Sequence, residues 1–202
     1  MPFETPNSLH SCEFLPNGQL CWNILDTHIP GGIAMSHCVA ISPFKIIFTG
    51  GSGSEPFSRR ITMFDTNTKI WSNEGELIHG RWGHASFLFN DKVIVTGGQN
   101  DTEVLGSTEI LTFEQHKEGG SLNEPRWGHG IGVIDVKGEQ RLVVFGGCSV
   151  HSPFDSSDDM LTSIEAWNEK EECWEMTDLK MPKVEGLTLF AHCSKRKWYH
   201  DQ

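Results

Sequence analysis

The chain has 202 residues, 37% hydrophobic and 21% charged, with 16 basic against 27 acidic side chains and a formal net charge of −11. That length suffices for one domain with a sizeable core, and the acidic balance argues against a nucleic-acid backbone or an anionic lipid surface as partner. No apolar run approaches the roughly 18 residues of a membrane helix.

The start, Met1-Pro-Phe-Glu-Thr-Pro6, lacks the basic-then-apolar pattern of a signal peptide. The six cysteines contain no Cys-x-x-Cys and form no dense framework. Localisation is left open and leans intracellular.

In chain order, Ser11-Cys-Glu-Phe-Leu15, the turn Pro16-Asn17-Gly18 and Trp22 read as two strands, a remnant over about 11–25. A crossover with Pro30-Gly31-Gly32 follows. The first full unit, about 35–72, runs from Ser36-His37 through Lys45-Ile-Ile-Phe-Thr-Gly50-Gly51 to Arg60-Ile-Thr-Met-Phe64 and Trp71. Its apolar run Ile46-Ile47-Phe48 fits a strand buried on both faces.

The second unit, about 80–118, repeats this order as Arg81-Trp82-Gly83-His84, Lys92 to Gly97-Gly98, and Ser107 to Leu111. At its end Glu118 falls where a tryptophan is expected, which predicts a short or register-shifted outer strand. The third unit, about 125–176, has Arg126-Trp127-Gly128-His129, Arg141 to Gly146-Gly147, Ser163 to Trp167, and Trp174. It carries four extra residues around 137–140 and seven within 148–160. A partial unit, about 186–200, begins at Leu187 and stops before any glycine pair.

The spacings are regular. His37 to Gly51 and His84 to Gly98 are both 14 positions, and Arg60 to Trp71 and Ser163 to Trp174 are both 11. Successive second glycines at 51, 98 and 147 lie 47 and 49 apart. A glycine pair and a later tryptophan at that period resemble the kelch repeat, over nearly the whole of 1–202. The resemblance implies an all-β propeller of four-stranded antiparallel blades, about four of them. They would make a closed four-bladed ring or an open segment of a larger one.

Repetition itself argues for structure over chemistry. His37, His84, His129 and His192 share a repeat position, as do Glu13, Glu109 and Glu165. A residue demanded in every blade is expected to pack or hydrogen-bond within it. Gly50, Gly51, Gly97, Gly98, Gly146 and Gly147 are expected where backbones approach closely or φ is positive. Trp22, Trp71 and Trp174 read as outer-strand anchors. Arg81 and Arg126, each beside a tryptophan at a blade entrance, are expected to make hydrogen bonds between blades, with ligand contact as the alternative.

No histidine pair has zinc-site spacing, and no Gly-x-Ser-x-Gly elbow is present. The acidic stretch from Asp155 to Asp159 does not follow a calcium-loop order. Cys148 reads as a small apolar residue or a disulfide partner. No catalytic residue, metal or cofactor is expected.

Kelch propellers commonly recruit or scaffold other proteins, so the resemblance implies a non-catalytic protein- or peptide-binding module. An open ring would also permit self-association. The alternative is an enzyme of the galactose-oxidase-like propeller class with loop-borne catalytic groups. That class needs two tyrosines, and this chain has one, Tyr199. In a meander the loops joining second to third strands lie at one end of each blade, with the crossovers between blades. That face collects 52–60, 99–106 and 148–162. Its expected partner-binding side chains are Arg59, Arg60, Gln99, Asn100, His151, Phe154 and Asp155, with Phe154 as anchor.

Overall fold

The computed structural model describes residues 8–28, 30, 34–53, 58–136, 138–151 and 160–182. Among them every regular element is a strand, and every pairing is antiparallel. A two-stranded sheet, β1 (Ser8–Phe14) and β2 (Leu20–His28), comes first. The first four-stranded blade is β3 (His37–Ser42), β4 (Lys45–Thr49), β5 (Arg60–Asp65) and β6 (Ile70–Glu76). The second is β7 (Ala85–Phe89), β8 (Lys92–Thr96), β9 (Thr108–Leu111) and β10 (His116–Gly119). The third is β11 (Gly130–Val136), β12 (Glu139–Phe145), β13 (Ser163–Asn168) and β14 (Cys173–Lys180). Strands within each blade follow chain order, and the innermost strands β3, β7 and β11 neighbour one another. The described residues form an open run of blades, as a propeller segment does.

The second strand of each blade is the most apolar because both faces are covered. Ile94, Val95, Leu142 and Val144 are buried. Between blades 2 and 3 a core of Phe87, Ile94, Ile110, Ile131, Leu142, Val144, Trp167 and Trp174 forms. Between blades 1 and 2 the core is smaller, with Ile47, Ile61, Leu77, Val93, Val95 and Leu111.

The extra residues near 137–140 lengthen a ribbon and do not bulge from it. In blade 2 the first hairpin pairs from Ala85↔Thr96 to Phe89↔Lys92, turning through Asn90 (φ 47) and Asp91 (φ 61). In blade 3 it pairs from Gly130↔Phe145 to Val136↔Glu139, two residues longer on each arm.

Two register details differ from the expected alignment. In blade 1 the pairing slips between Ala40 and Ser42, so the first strand holds one extra residue. Ala34 then pairs with Ser52 as Trp82 does with Gln99 and Trp127 with Cys148. By that register Ser36, not His37, occupies the place of His84 and His129. His37 stands opposite Thr49, where Ala85 stands opposite Thr96. A single inserted residue turns a side chain to the other face.

In blade 2 the outer hairpin is two residues shorter, closing at Thr112 and Gln115, whereas blade 1 closes at Asp65 and Ile70. His116 opposite Leu111 therefore takes the place that Trp71 holds opposite Phe64 and Trp174 opposite Trp167. Glu118 pairs with Glu109 and is not the tryptophan position.

The glycine pairs are joints. A Cβ on Gly97 would lie 2.4 Å from Arg126 O and 2.5 Å from His129 Cε1, both on the next blade. A Cβ on Gly50 would lie 2.5 Å from Arg81 O and 2.8 Å from His84 Cε1. The second glycine instead meets its own blade, as Gly98 does at His84 Cβ, 2.9 Å. Trp71 and Trp174 also join blades, donating their indole N–H to Thr27 and Thr108 at 2.9 Å each. Trp22 does not act as a packed anchor among the described residues. It pairs with Cys12 and is 66% exposed.

Candidate functional site

The polar residues that repetition marked as structural are largely absorbed into the blades. Arg81, wholly buried, donates to Gly97 O (2.7 Å), Ser107 O (3.1 Å), Ser107 Oγ (2.9 Å) and Glu109 Oε1 (2.7 Å). Arg126 repeats this with Gly146 O, Ser163 O, Ser163 Oγ and Glu165 Oε1. All these partners lie on the arginine's own blade, so the side chain works within a blade and not between blades. The arginine carbonyls make the inter-blade bonds, accepting from Gly51 N and Gly98 N at 2.8 Å.

Each carboxylate also clamps its own crossover. Glu109 accepts from Ile78 N and His79 N, and Glu165 from Asn123 N and Glu124 N. Burial pushes the Glu109 carboxyl up, but the Arg81 charge and these N–H donors outweigh it and leave it below its ordinary range. Blade 1 has Thr62 at that position, buried, with its hydroxyl unpartnered among the described residues.

His84 and His129 are buried, and burial holds both far below the ordinary imidazole range, reinforced by nearby His37, Arg81 and Arg126. They are neutral at physiological pH. His84 Nε2 lies 2.9 Å from Thr49 Oγ1 on blade 1. His37 Nδ1 lies 2.9 Å from Ser86 Oγ on blade 2. Both bind a neighbouring blade. No group of three His, Cys, Asp or Glu is placed to hold a metal among the described residues. Cys148 is buried with a free thiol. His192 lies outside the described residues.

The loop face is where side chains are less committed. Its second-to-third-strand loops each start from a bridge to the lead of the first strand: Ala34↔Ser52, Trp82↔Gln99 and Trp127↔Cys148. Trp82 and Trp127 therefore stand side by side on neighbouring blades, with ring centroids 5.5 Å apart and planes at 58°. A Cβ on Gly83 would meet Trp127 Cε3 at 3.3 Å, so the small residue lets the second ring approach. Trp127 Nε1 donates to Val150 O at 2.8 Å, tying the blade 3 loop down.

Among the expected binding residues, Asn100 and His151 come together from two blades. His151 Nε2 lies 2.8 Å from the carbonyl oxygen of Asn100. The Asn100 side chain is occupied locally, accepting from Thr102 N and Glu103 N to make a turn. Gln99 is 1% exposed and presents no surface side chain, because both its flanking backbone bridges pull it inward. Arg59 is exposed and points to the outer strand of blade 1, donating to Leu77 O (2.7 Å) and pairing with Glu76 (3.6 Å). Arg60 begins β5, paired in register with Glu76. Phe154 and Asp155 lie outside the described residues.

Sequence reasoning passed over Trp82 as a candidate binding residue and over Trp127, 3% exposed, as the ring that backs it. Their signal was the twice-repeated Arg-Trp-Gly-His, in which the arginine and histidine are buried in both copies and the tryptophan is buried at 127 but only half-buried at 82.

No family model matches the chain. Curated relatives do. It is 26% identical over 171 residues to Kelch-like protein 15 of Homo sapiens, covering 72% of this chain and 27% of that protein. It is 24% identical over 139 residues to Kelch-like protein 25 of Xenopus tropicalis, covering 64% of this chain and 22% of that one. The four-stranded antiparallel sheets of this chain are similar to the blades of the kelch-repeat family. A further match, to Mitogen-activated protein kinase-binding protein 1 of Mus musculus, is 26% identical over 208 residues and covers 99% of this chain but 13% of that protein. The chain thus spans about a quarter or less of the length of these relatives.

Proposed function

We propose that this segment is a non-catalytic module that binds a protein or peptide across the loop face of blades 2 and 3. The observation that carries the reading is the contact between His151 and the Asn100 carbonyl, which links two blades' loops beside the Trp82–Trp127 pair. Half-buried Trp82 offers a stiff indole with little rotamer entropy to lose, backed by the buried Trp127 ring, and aromatic residues dominate binding hot spots. A rigid blade scaffold holds the loops in register, as binding loops require.

The kelch-like relatives support a protein-interaction role, and one relative's name records kinase binding. The experiment is capture by the intact chain, read by mass spectrometry, against the Trp82→Ala and His151→Ala variants. Partners retained by the native chain should be lost from both variants and kept by Lys170→Ala, an exposed change in the turn joining β13 and β14. Equal capture by all four chains would overturn the reading.

A further inference from the structure

The interfaces of blade 2 with blade 1 and with blade 3 differ at the outer rim. Between blades 2 and 3, Trp174 fills the outer rim. It is 4% exposed, lies 5.1 Å from the Trp167 ring and donates to Thr108 on blade 2. The corresponding residue on blade 2 is His116, and its ring turns along its own blade to Glu109 Oε2 at 2.7 Å. It cannot also fill the space toward blade 1. That space is an open cleft of about 590 Å³.

The floor of the cleft is apolar, formed by Ile47, Ile61, Leu88, Val93 and Leu111. Its rim is acidic, with Glu74 and Glu76 from blade 1 and Asp91 and Glu114 from blade 2. Arg59, 3.6 Å from Glu76, offsets one of these charges. The volume falls within the roughly 300–1,000 Å³ usual for ligand sites.

We propose that this cleft takes a peptide segment of a partner protein in which one phenylalanine is flanked by lysine or arginine. Trp174 shows what fits: an aromatic ring wedged between blades from the rim. The acidic rim selects the flanking charge. The floor selects the ring, because Ile61 stands where Thr108 stands in the filled interface. An indole N–H would lose its acceptor there, whereas a phenyl ring leaves nothing unpaired. The proposal concerns the outer rim of blades 1 and 2 and does not depend on the loop face.

The test titrates the intact chain, labelled at Ile, Leu and Val methyls, with the synthetic peptide Lys-Lys-Phe-Lys-Lys. Methyl shifts should cluster at Ile41, Ile61, Leu88 and Leu111. Affinity should fall at least tenfold for Lys-Lys-Ala-Lys-Lys and for Glu-Glu-Phe-Glu-Glu. His116→Trp, which restores the filling ring, should abolish the shifts. The surface variant Glu74→Lys/Glu114→Lys, which leaves the floor intact, should weaken binding at least tenfold. Equal binding of the alanine peptide would reduce the site to surface charge and overturn the proposal, as would equal binding of the glutamate peptide. Cleft methyls that move with protein concentration alone would assign the cleft to a second copy and overturn it too.

Discussion

Arg81 Nη2 donates to Glu109 Oε1 at 2.7 Å with both side chains wholly excluded from solvent, and Arg126 and Glu165 repeat the pair at 2.8 Å. Each pair joins the strand lead, the second and third strands and the incoming crossover of one blade. A buried pair of this kind organises the blade, and losing one member strands the other's charge.

Arg81→Ala should therefore destabilise the chain by about 3–5 kcal/mol, the usual cost of an uncompensated buried charge. Arg81→Met combined with Glu109→Leu should cost less than either single change. Denaturant titration checks the order. A double substitution that is merely additive would contradict the coupling.

His84→Ala should lower stability by about 1–3 kcal/mol, because Thr49 loses a buried partner. Metal content of the purified protein should not change. Stoichiometric metal lost on this substitution would refute the structural role.

Stability should also fall with acid. The folded pKa values of His84 and His129 lie well below the unfolded value of 6.5. Above that value both states are neutral and nothing is lost. Below it the unfolded chain binds protons that the fold excludes, at up to about 1.4 kcal/mol per pH unit per histidine. Thermal melts at pH 7.5 and 5.5 should separate clearly, and His84→Gln with His129→Gln should narrow the gap. An unchanged gap would assign the acid loss to other groups.

Gly97→Ala should be far more damaging than Gly138→Ala. Both glycines have positive φ, 64° and 85°, so both substitutions carry the left-handed penalty of about 1–2 kcal/mol. Only at Gly97 does a methyl also strike the next blade, at Arg126 O and His129 Cε1. At Gly138 nothing lies within 4 Å. Equal melting temperatures would show that the glycine pair is not an inter-blade joint.

Replacing His151 and Phe154 with alanine should abolish partner capture while leaving the melting temperature within about 1 °C, the result expected of side chains that serve binding alone. A loss of folding would instead place these side chains in the scaffold.

The repeat was legible because each blade must solve the same packing problem. Close backbone approach demands glycine, a doubly covered strand demands an apolar run, and a buried carboxylate demands its arginine. Those demands recur at a period of nearly 50 residues and can be read by counting. Counting fails where a blade gains or loses a residue between fixed points. The extra residue near Ala40 leaves the 14-position spacing intact while moving His37 off the histidine position. The short turn at Thr112 puts His116, not Glu118, in the tryptophan's place and leaves the cleft toward blade 1. Gln99 counted as a loop residue, but its backbone bridges bury it. Trp82 and Trp127 lie 45 positions apart in the chain, and only the packing of neighbouring blades brings their rings within 5.5 Å. Local pattern determined which residues build a blade. Register and blade-to-blade contact, which are non-local, decided what the blades leave exposed between them.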